Sequence, residues 1–157
     1  VIQFCVAVRN KANGFYSNHQ PGGSYWYNNT AFQNGTNYNM LNRTSDITAD
    51  VPGYNHVLKN NLSYTAINYE TQHIDSTKCI ISNNSFSIPI KVTQADFKST
   101  DQTLLTKQRK ADGSLPDNDF LKLKAGSNLI DKGVEIGFPF SGIKPDLGAF
   151  EFKGKGK

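Results

Sequence analysis

The stretch Trp26-Tyr-Asn-Asn-Thr-Ala-Phe-Gln33 decides the fold, because its pattern recurs along the chain. Each copy places a short apolar or aromatic run before a small polar step. The other copies are Ile2-Gln-Phe-Cys-Val-Ala-Val-Arg9, Leu58-Lys-Asn-Asn-Leu-Ser-Tyr-Thr65 and Ile80-Ile-Ser-Asn-Asn-Ser-Phe-Ser87. When the copies are aligned, Cys5, Asn29, Asn61 and Asn84 share one column, at spacings of 24, 32 and 23 residues.

Such a repeat, made of short strands and polar turns without helical periodicity, is typical of the coils of a parallel β-helix. Each coil then lies about 4.8 Å above the one before it. An asparagine at a sharp corner tolerates left-handed backbone geometry, and its amide can bond to the equivalent amide one coil away. We therefore predict an all-β, right-handed parallel β-helix of about four coils, with the column asparagines stacked as a ladder.

The coils are expected in residues 1–90, and an irregular C-terminal cap with a basic tail in residues 91–157 of the same domain. In the cap, we expect Leu129 and Ile130 to plug the open core, and residues 149–152 to return along the sheet. Residues 43–50 lengthen the interval between coils, so they should form an outward loop, where solenoids often carry their working surface. The expected core or corner positions are Val6, Val8, Ala31, Phe32, Leu62, Tyr64 and Ile81.

The charge pattern bears on the partners of the protein. Charged residues make up 19% of the chain and the formal net charge is +4, much of it from Lys153, Lys155 and Lys157 in the tail. Because no concentrated basic stripe is present, nucleic acid is not expected as a partner. No apolar run is long enough to predict a membrane span. A surface rich in Asn, Ser, Thr, Gly and Tyr suits hydroxyl-rich ligands, including a polyanionic sugar.

The two cysteines, Cys5 and Cys79, fall on the first and fourth coils. At the pitch of a β-helix they would lie about 14 Å apart along the axis, which is too far for a disulfide bond. No Cys or His partner stands at metal-ligand spacing from either of them. Both are therefore expected to be small buried apolar residues.

Three stretches of the first two coils carry a family resemblance: Gly14-Phe-Tyr-Ser-Asn-His19, Tyr27-Asn-Asn-Thr-Ala-Phe32 and Asn34-Gly-Thr-Asn-Tyr-Asn39. They are similar to the C-terminal half of the family 9 polysaccharide lyases, a group of pectate and rhamnogalacturonan lyases. The ending, from Leu121 to Phe152, resembles that of secreted β-helix polysaccharide lyases. Because Val1 opens directly on a strand, we expect the chain to be the C-terminal part of a longer protein.

The resemblance implies cleavage of an acidic pectic polysaccharide, galacturonan or rhamnogalacturonan, by β-elimination. The enzyme would be secreted, to the extracellular space or the periplasm, and monomeric at full length. In the family, a calcium ion held by aspartates neutralises the uronate carboxylate, and a lysine base removes the proton at C5. The resemblance places an Asp-Asp-x-x-Asp run and the lysine, which follows a Gly-Phe corner, upstream of the coils present here.

Neither of these motifs occurs in this chain, and its Gly14-Phe15 corner is followed by Tyr16. No catalytic residue, metal ligand or calcium ion is therefore expected in the chain. Whether the chain is an enzyme by itself stays open. The alternative is a non-catalytic β-helical fragment that binds carbohydrate or serves as an adhesin or structural element and shares only the solenoid.

Substrate-binding candidates are predicted at one corner of the coils. The ring of Tyr16 would face a sugar, while Asn18 and His19 would bond hydroxyls or a carboxylate. Lys11, close to the same corner, is the candidate for a basic groove residue. The candidates on the next coil and its loop are Tyr38, Asn39 and Arg43. An ordinary exposed corner is the alternative for all of them.

Two further sets of polar residues are expected to have no part in binding. His56 and His73 should be turn or surface residues. The carboxylates of Asp131, Asp146 and Glu151 should serve the cap, because their spacing lacks the dense pattern of a dedicated calcium site.

Overall fold

The computed structural model describes residues 1–154, so Lys155 and Lys157 of the predicted basic tail lie outside the described residues. The described chain consists almost entirely of short strands and connecting turns. The strands are β1 Ile2–Gln3, β2 Val6–Val8, β3 Asn13–Tyr16, β4 Tyr25–Tyr27, β5 Thr30–Phe32, β6 Thr36–Asn39, β7 Asn42–Arg43, β8 Asp50–Val51, β9 Val57–Lys59, β10 Leu62–Tyr64, β11 Tyr69–Gln72 and β12 Ile80–Ser82. Two 3₁₀ turns follow, at Gln94–Asp96 and Gln102–Thr106.

Three parallel sheets run along the described coils. Each of the first three coils gives one strand to every sheet, and the fourth coil gives β12 to the first sheet only. Their strand orders are β1-β4-β9-β12, β2-β5-β10 and β3-β6-β11. The register follows the repeat, since Trp26 pairs with Ile2 on one side and with Leu58 on the other. The prediction of an all-β parallel β-helix is thereby confirmed. The predicted outward loop is an exposed antiparallel hairpin, β7–β8, in which Arg43 faces Asp50.

The predicted asparagine ladder is present inside the coils. Asn29 donates from Nδ2 to Oδ1 of Asn61 at 3.0 Å, and Asn61 donates in the same way to Asn84 at 2.8 Å. Each Oδ1 also accepts a backbone N–H from the coil before it, from Cys5, Asn29 and Asn61 at 3.0, 3.1 and 2.9 Å. The second amide hydrogens go to the backbone carbonyls of Ile2, Trp26 and Leu58. All three ladder side chains are fully buried, and each finds its partners in neighbouring coils or its own.

The first asparagine of each pair has a different task. Asn28, Asn60 and Asn83 have positive φ angles of 48°, 58° and 53°, so they, and not the ladder residues, take the left-handed backbone of the corner. The prediction that one asparagine performs both tasks was therefore wrong. Their side-chain amides bind residues 91–154, which we call the C-terminal segment. Asn60 donates one hydrogen bond to the backbone of Val134 and accepts another from it, each at 2.8 Å. The other acceptors are the carbonyls of Asp146 and Gly148 for Asn28, and of Lys132 for Asn83.

The hydrophobic side chains form two separate clusters. One fills the interior of the coils, with Phe15, Trp26, Ala31, Tyr38, Met40 and Leu58 buried in it. The other contains Phe32, Leu62, Phe97, Phe120, Leu121, Leu123, Leu129 and Leu147. Because neighbouring residues of a strand point to opposite faces, Ala31 enters the interior whereas Phe32 points to the outer face of the sheet β2-β5-β10. The C-terminal segment therefore packs on the flank of the β-helix.

This packing corrects the expected cap. Leu129 and Ile130 do not plug the open core, because they pack with Phe32 and Leu62 in the outer cluster. Residues 149–152 form no strand, and they are attached through single bonds such as Ala149 N–H to the Thr30 hydroxyl at 2.8 Å. Phe32 and Leu62 make the outer face of β5 and β10 apolar, so the segment can bury its own apolar side chains against that face.

Most of the predicted core positions are confirmed. Ala31, Phe32 and Leu62 are buried, and Val8, Tyr64 and Ile81 are half-buried. The prediction was wrong for Val6, which is 36% exposed, because β2 is an edge strand with a neighbour on one side only. It was also wrong for Cys5, which is exposed at the end of the ladder, while Cys79 is half-buried. Both thiols are free.

We expect Asn61→Leu to lower the free energy of unfolding by about 1–3 kcal/mol, because it leaves buried polar groups on both neighbouring coils without hydrogen-bond partners. Urea denaturation followed by circular dichroism measures the change. Asn68→Leu is the matched control, since Asn68 is exposed on the third coil and should change stability little. Equal stability of the two variants would contradict the importance of the ladder.

Candidate functional site

The hairpin β7–β8 is anchored at its base by a buried polar group. Asn42 is fully buried, and its Nδ2 donates to the carbonyl of Gly22 at 2.8 Å. Its Oδ1 accepts from Oγ of Ser17 at 3.2 Å and lies 2.7 Å from Nε2 of His56. Nδ1 of His56 accepts the backbone N–H of Ser24 at 3.0 Å, so the ring proton is on Nε2 and is donated to Asn42.

His56 is thus fully buried, and its prediction as a turn or surface residue was wrong. Burial lowers the pKa of this histidine. The ring therefore stays neutral near neutral pH, as its acceptor role at Nδ1 requires. His73, by contrast, is exposed, as predicted.

Four polar side chains meet above this base, and we call them the corner cluster: Tyr16, His19, Arg43 and Asp50. The hydroxyl of Tyr16 lies 2.8 Å from Nε2 of His19. Nδ1 of His19 lies 2.7 Å from Oδ1 of Asp50, and Nε of Arg43 donates to the same oxygen at 3.1 Å. Because a carboxylate only accepts, His19 donates from Nδ1 to Asp50.

The electrostatics of the corner cluster are set by these contacts. The hydrogen bond from His19, followed by that from Arg43, lowers the pKa of Asp50, so the carboxylate is ionised at neutral pH. Burial, and secondarily the charge of Asp50, raises the pKa of Tyr16, while Arg43 opposes this shift. The phenol of Tyr16 is therefore a proton donor under physiological conditions. The free donors of Arg43 and the aromatic ring of Tyr16 thus lie together at one corner of the coils.

The structure brings together three of the predicted binding residues, Tyr16, His19 and Arg43. Asn18 follows on the same turn, exposed and with a positive φ of 54°. Lys11 is exposed but is not close to this corner, because it precedes β3 whereas Tyr16 ends that strand. At about 3.3 Å per residue, the two lie on the order of 15 Å apart along the strand.

The prediction of Tyr38 as a binding residue was wrong. Its side chain is fully buried, stacks on Phe15 with 5.1 Å between ring centroids, and places its hydroxyl 2.9 Å from the carbonyl of Asn29. Asn39 pairs with Tyr16 one coil away, as expected, but only 7% of it is exposed. Its amide is engaged by Asn13 at 3.1 Å and by His73 at 3.0 Å. A ligand at the corner therefore meets little of the second coil.

Asp50 is the residue of the corner cluster that the sequence prediction missed. It lies 31 residues from His19 and belongs to the far strand of the hairpin. The loop between Arg43 and Asp50 is the sequence feature that could have identified Asp50. Asp46 closes the turn of this loop, since it accepts from the Thr48 hydroxyl at 2.8 Å. A closed turn places its two flanking residues opposite each other.

The carboxylates near the C-terminus do not fit a calcium ion. Asp146 accepts the backbone N–H groups of Asp131 at 2.8 Å and Phe152 at 2.6 Å, and Asp131 accepts that of Ile143 at 2.8 Å. These oxygens hold the C-terminal segment together, as predicted. Within residues 1–154, no group of three or more His, Cys, Asp and Glu side chains is placed to hold a metal ion.

Two further features of the described chain lie apart from the corner cluster. A cavity of about 890 Å³ separates the first coil from the C-terminal segment, and most of its lining is apolar, including Phe4, Val8, Leu105 and Phe120. In residues 1–154, no helix combines the length and the apolar character needed to cross a membrane.

Comparison with known proteins agrees with this fold. The chain is 34% identical over 147 residues to pectate lyase L of Dickeya dadantii, covering 93% of this chain and 32% of that protein. It is 29% identical over 139 residues to pectate lyase L of Paenibacillus polymyxa, covering 87% of this chain and 29% of the relative. No family model matches the chain.

Solved structures give the same result. The crystal structure of pectate lyase Pel9A superposes with a TM-score of 0.79 at 34% identity, covering 96% of this chain and 35% of that one. A rhamnogalacturonan lyase superposes with a TM-score of 0.75 at 39% identity, covering 81% of this chain and 31% of that one.

The fold and these similarities together define the chain as a parallel β-helix of the polysaccharide lyase class. Within that class its sequence and structure are similar to family 9 lyases, which confirms the resemblance read from the sequence. The chain spans about a third of the length of the curated relatives that it matches.

The buried His56 predicts a pH dependence of stability. Because its pKa is lowered in the folded state, the unfolded chain binds the proton more tightly, and stability is lost as the pH falls below the ordinary histidine value of about 6.5. The contribution of one group is at most about 1.4 kcal/mol per pH unit. We expect the free energy of unfolding, from urea titrations at about pH 7.5 and about pH 5.5, to be smaller at the lower pH.

His56→Gln should flatten this dependence, whereas the control His73→Gln, at an exposed position, should preserve it. Burial raises the pKa of Asp146 and of Glu151, which act with the opposite sign. The test is therefore the difference in the pH dependence of unfolding between the unaltered chain, His56→Gln and His73→Gln. An unchanged slope in His56→Gln would contradict the role of this histidine.

Proposed function

We propose that the chain is part of a secreted polysaccharide lyase that cleaves an acidic pectic polysaccharide by β-elimination. The observation that carries this proposal is the similarity, over 93% of the chain, to pectate lyase L. The structural neighbours support it, since one is a pectate lyase and the other a rhamnogalacturonan lyase. Galacturonan and rhamnogalacturonan are accordingly the two proposed substrates, and the whole lyase is proposed to act as a monomer.

In this proposal the chemical step belongs to parts of the lyase other than residues 1–154. Calcium, as proposed for the whole lyase, would neutralise the uronate carboxylate and so acidify the neighbouring C–H group. The donor set of the described residues does not fit that ion, and Tyr16 stands after the Gly14-Phe15 corner. We therefore assign no metal-dependent step and no catalytic base to this chain.

The task proposed for the corner cluster is to bind the polymer. The exposed face of Tyr16 can stack on a sugar ring, and the amide of Asn18 and the guanidinium of Arg43 supply donors for hydroxyls and carboxylates. The cluster lies at an open corner, which suits a long chain better than the apolar cavity does. Each contact is worth on the order of 1 kcal/mol, so affinity in the millimolar range is expected.

Titration with a purified oligogalacturonide, followed by amide chemical shifts, tests this role. We expect millimolar binding that shifts Tyr16, Asn18, His19 and Arg43 first and leaves the region of Asp131 and Asp146 unmoved. A neutral oligosaccharide of the same length is the control. If the shifts cluster at the C-terminal segment, or no acidic oligosaccharide shifts anything, the non-catalytic structural alternative is favoured.

Incubation of the chain with polygalacturonate and calcium tests the proposed location of the chemical step. We expect little formation of unsaturated product, measured by its ultraviolet absorbance, because Tyr16 follows the Gly14-Phe15 corner where the resemblance implies a lysine base. The same mixture with a chelator in excess gives the background. Robust turnover would contradict the assignment, and the exposed Lys11 would then be the first residue to replace.

A further inference from the structure

Arg43 is held by one edge of its guanidinium group and exposed at the other. Its Nε donates to Oδ1 of Asp50 at 3.1 Å, and 41% of the side chain is exposed. Within residues 1–154, the side chain has no other hydrogen bond. A guanidinium group has five N–H donors, so the edge formed by its two terminal nitrogens stays available to a ligand.

The backbone around Arg43 is fixed on both sides. Arg43 stands opposite Asp50 in the hairpin pair β7–β8, and its N–H donates to the carbonyl of Gln20 at 3.2 Å. Its own carbonyl accepts from the hydroxyl of Tyr54 at 2.9 Å. The side chain therefore starts from a rigid base and is steered by Asp50, which lowers the conformational entropy that binding would otherwise cost.

Asp50 is in turn held by the first coil, since Nδ1 of His19 bonds to the same oxygen at 2.7 Å and Tyr16 bonds to the far side of that ring. The row Tyr16, His19, Asp50, Arg43 thus links two coils into one surface. The positive charge of Arg43 is balanced by Asp50, so the site does not attract every anion. What it offers is a geometric match of two parallel N–H groups to the two oxygens of a carboxylate.

We propose that Arg43 binds the carboxylate of a uronate unit and that Asp50 is the residue that positions it. This inference rests on the proposed function, because it assumes that the polymer lies across the corner cluster. It adds a specificity to that site: a free carboxylate accepts two charge-assisted bonds from Arg43, whereas its methyl ester is uncharged and cannot accept both. The corner cluster would therefore distinguish unesterified from methyl-esterified pectic chains.

The experiment compares an oligogalacturonide with its methyl ester of the same length, titrated into the chain and into variants and followed by amide shifts. We expect the chain to bind the acid about tenfold more tightly than the ester. Arg43→Gln should bind both forms equally and weakly. Asp50→Asn keeps Arg43 but weakens its anchor, and it should reduce the preference for the acid while leaving ester binding unchanged.

Arg109→Gln is the matched control, because it removes the same charge from another exposed arginine, one that donates to the carbonyl of Gly113 at 2.8 Å. It should retain the full preference. If Arg43→Gln does not fold, Arg43→Lys decides the question, since it keeps the charge but not the two parallel donors. A full preference in Arg43→Lys would overturn the bidentate contact.

The possible results distinguish the role of Arg43 from the proposed function on which it rests. Equal binding of acid and ester by the unaltered chain would overturn the specificity assigned to Arg43 and leave sugar binding at the corner intact. Binding of neither form would overturn the proposed function itself. A preference that survives in Arg43→Gln, or that falls equally in Arg109→Gln, would assign the discrimination to residues or charge outside the corner cluster.

Discussion

The buried amide ladder of Asn29, Asn61 and Asn84 is the interaction on which the rest of the structure depends. At each corner the backbone turns away from the sheets and leaves N–H and carbonyl groups that a buried chain must pair. Each ladder amide binds backbone groups of the coil before it, at 2.8 to 3.1 Å. Asn29 and Asn61 also donate to the ladder amide of the next coil, at 3.0 and 2.8 Å. Because the reach of an asparagine side chain is short, the ladder holds every coil in one register, and one slipped residue would turn apolar side chains outward.

The paired asparagines also connect the coils to the segment that flanks them. The side chain of Asn60 pairs with the backbone of Val134 as a neighbouring strand would, because it donates one hydrogen bond and accepts another, each at 2.8 Å. This attachment lets Leu129 and Leu147 bury the outer face of the sheet β2-β5-β10. The corner cluster begins at the end of β3, on another sheet, and so remains open to a ligand. One corner motif thus stabilises the solenoid and directs the C-terminal segment to a flank away from the site.

The corner cluster itself is assembled by an insertion in the repeat. The hairpin between the second and third coils brings Arg43 and Asp50 back to Tyr16 and His19 of the first coil. The buried Asn42 and His56 hold the base of that hairpin and expose none of their own surface. Because this buried pair fixes the base of the hairpin, the short loop can present the charged group of Arg43 in a defined direction.

The sequence by itself determined the solenoid and the asparagine column, since both follow from a repeat whose partners are equivalent positions one coil apart. It also predicted Tyr16, His19 and Arg43 as binding candidates, and the structure places these three side chains together. The tertiary structure decided the rest: that Tyr38 points inward, that Asp50 completes the cluster and that Leu129 covers a flank. These outcomes depend on which face of a strand is already covered and on contacts between segments outside the repeat, such as Leu129 against Phe32, for which local pattern and periodicity carry no information.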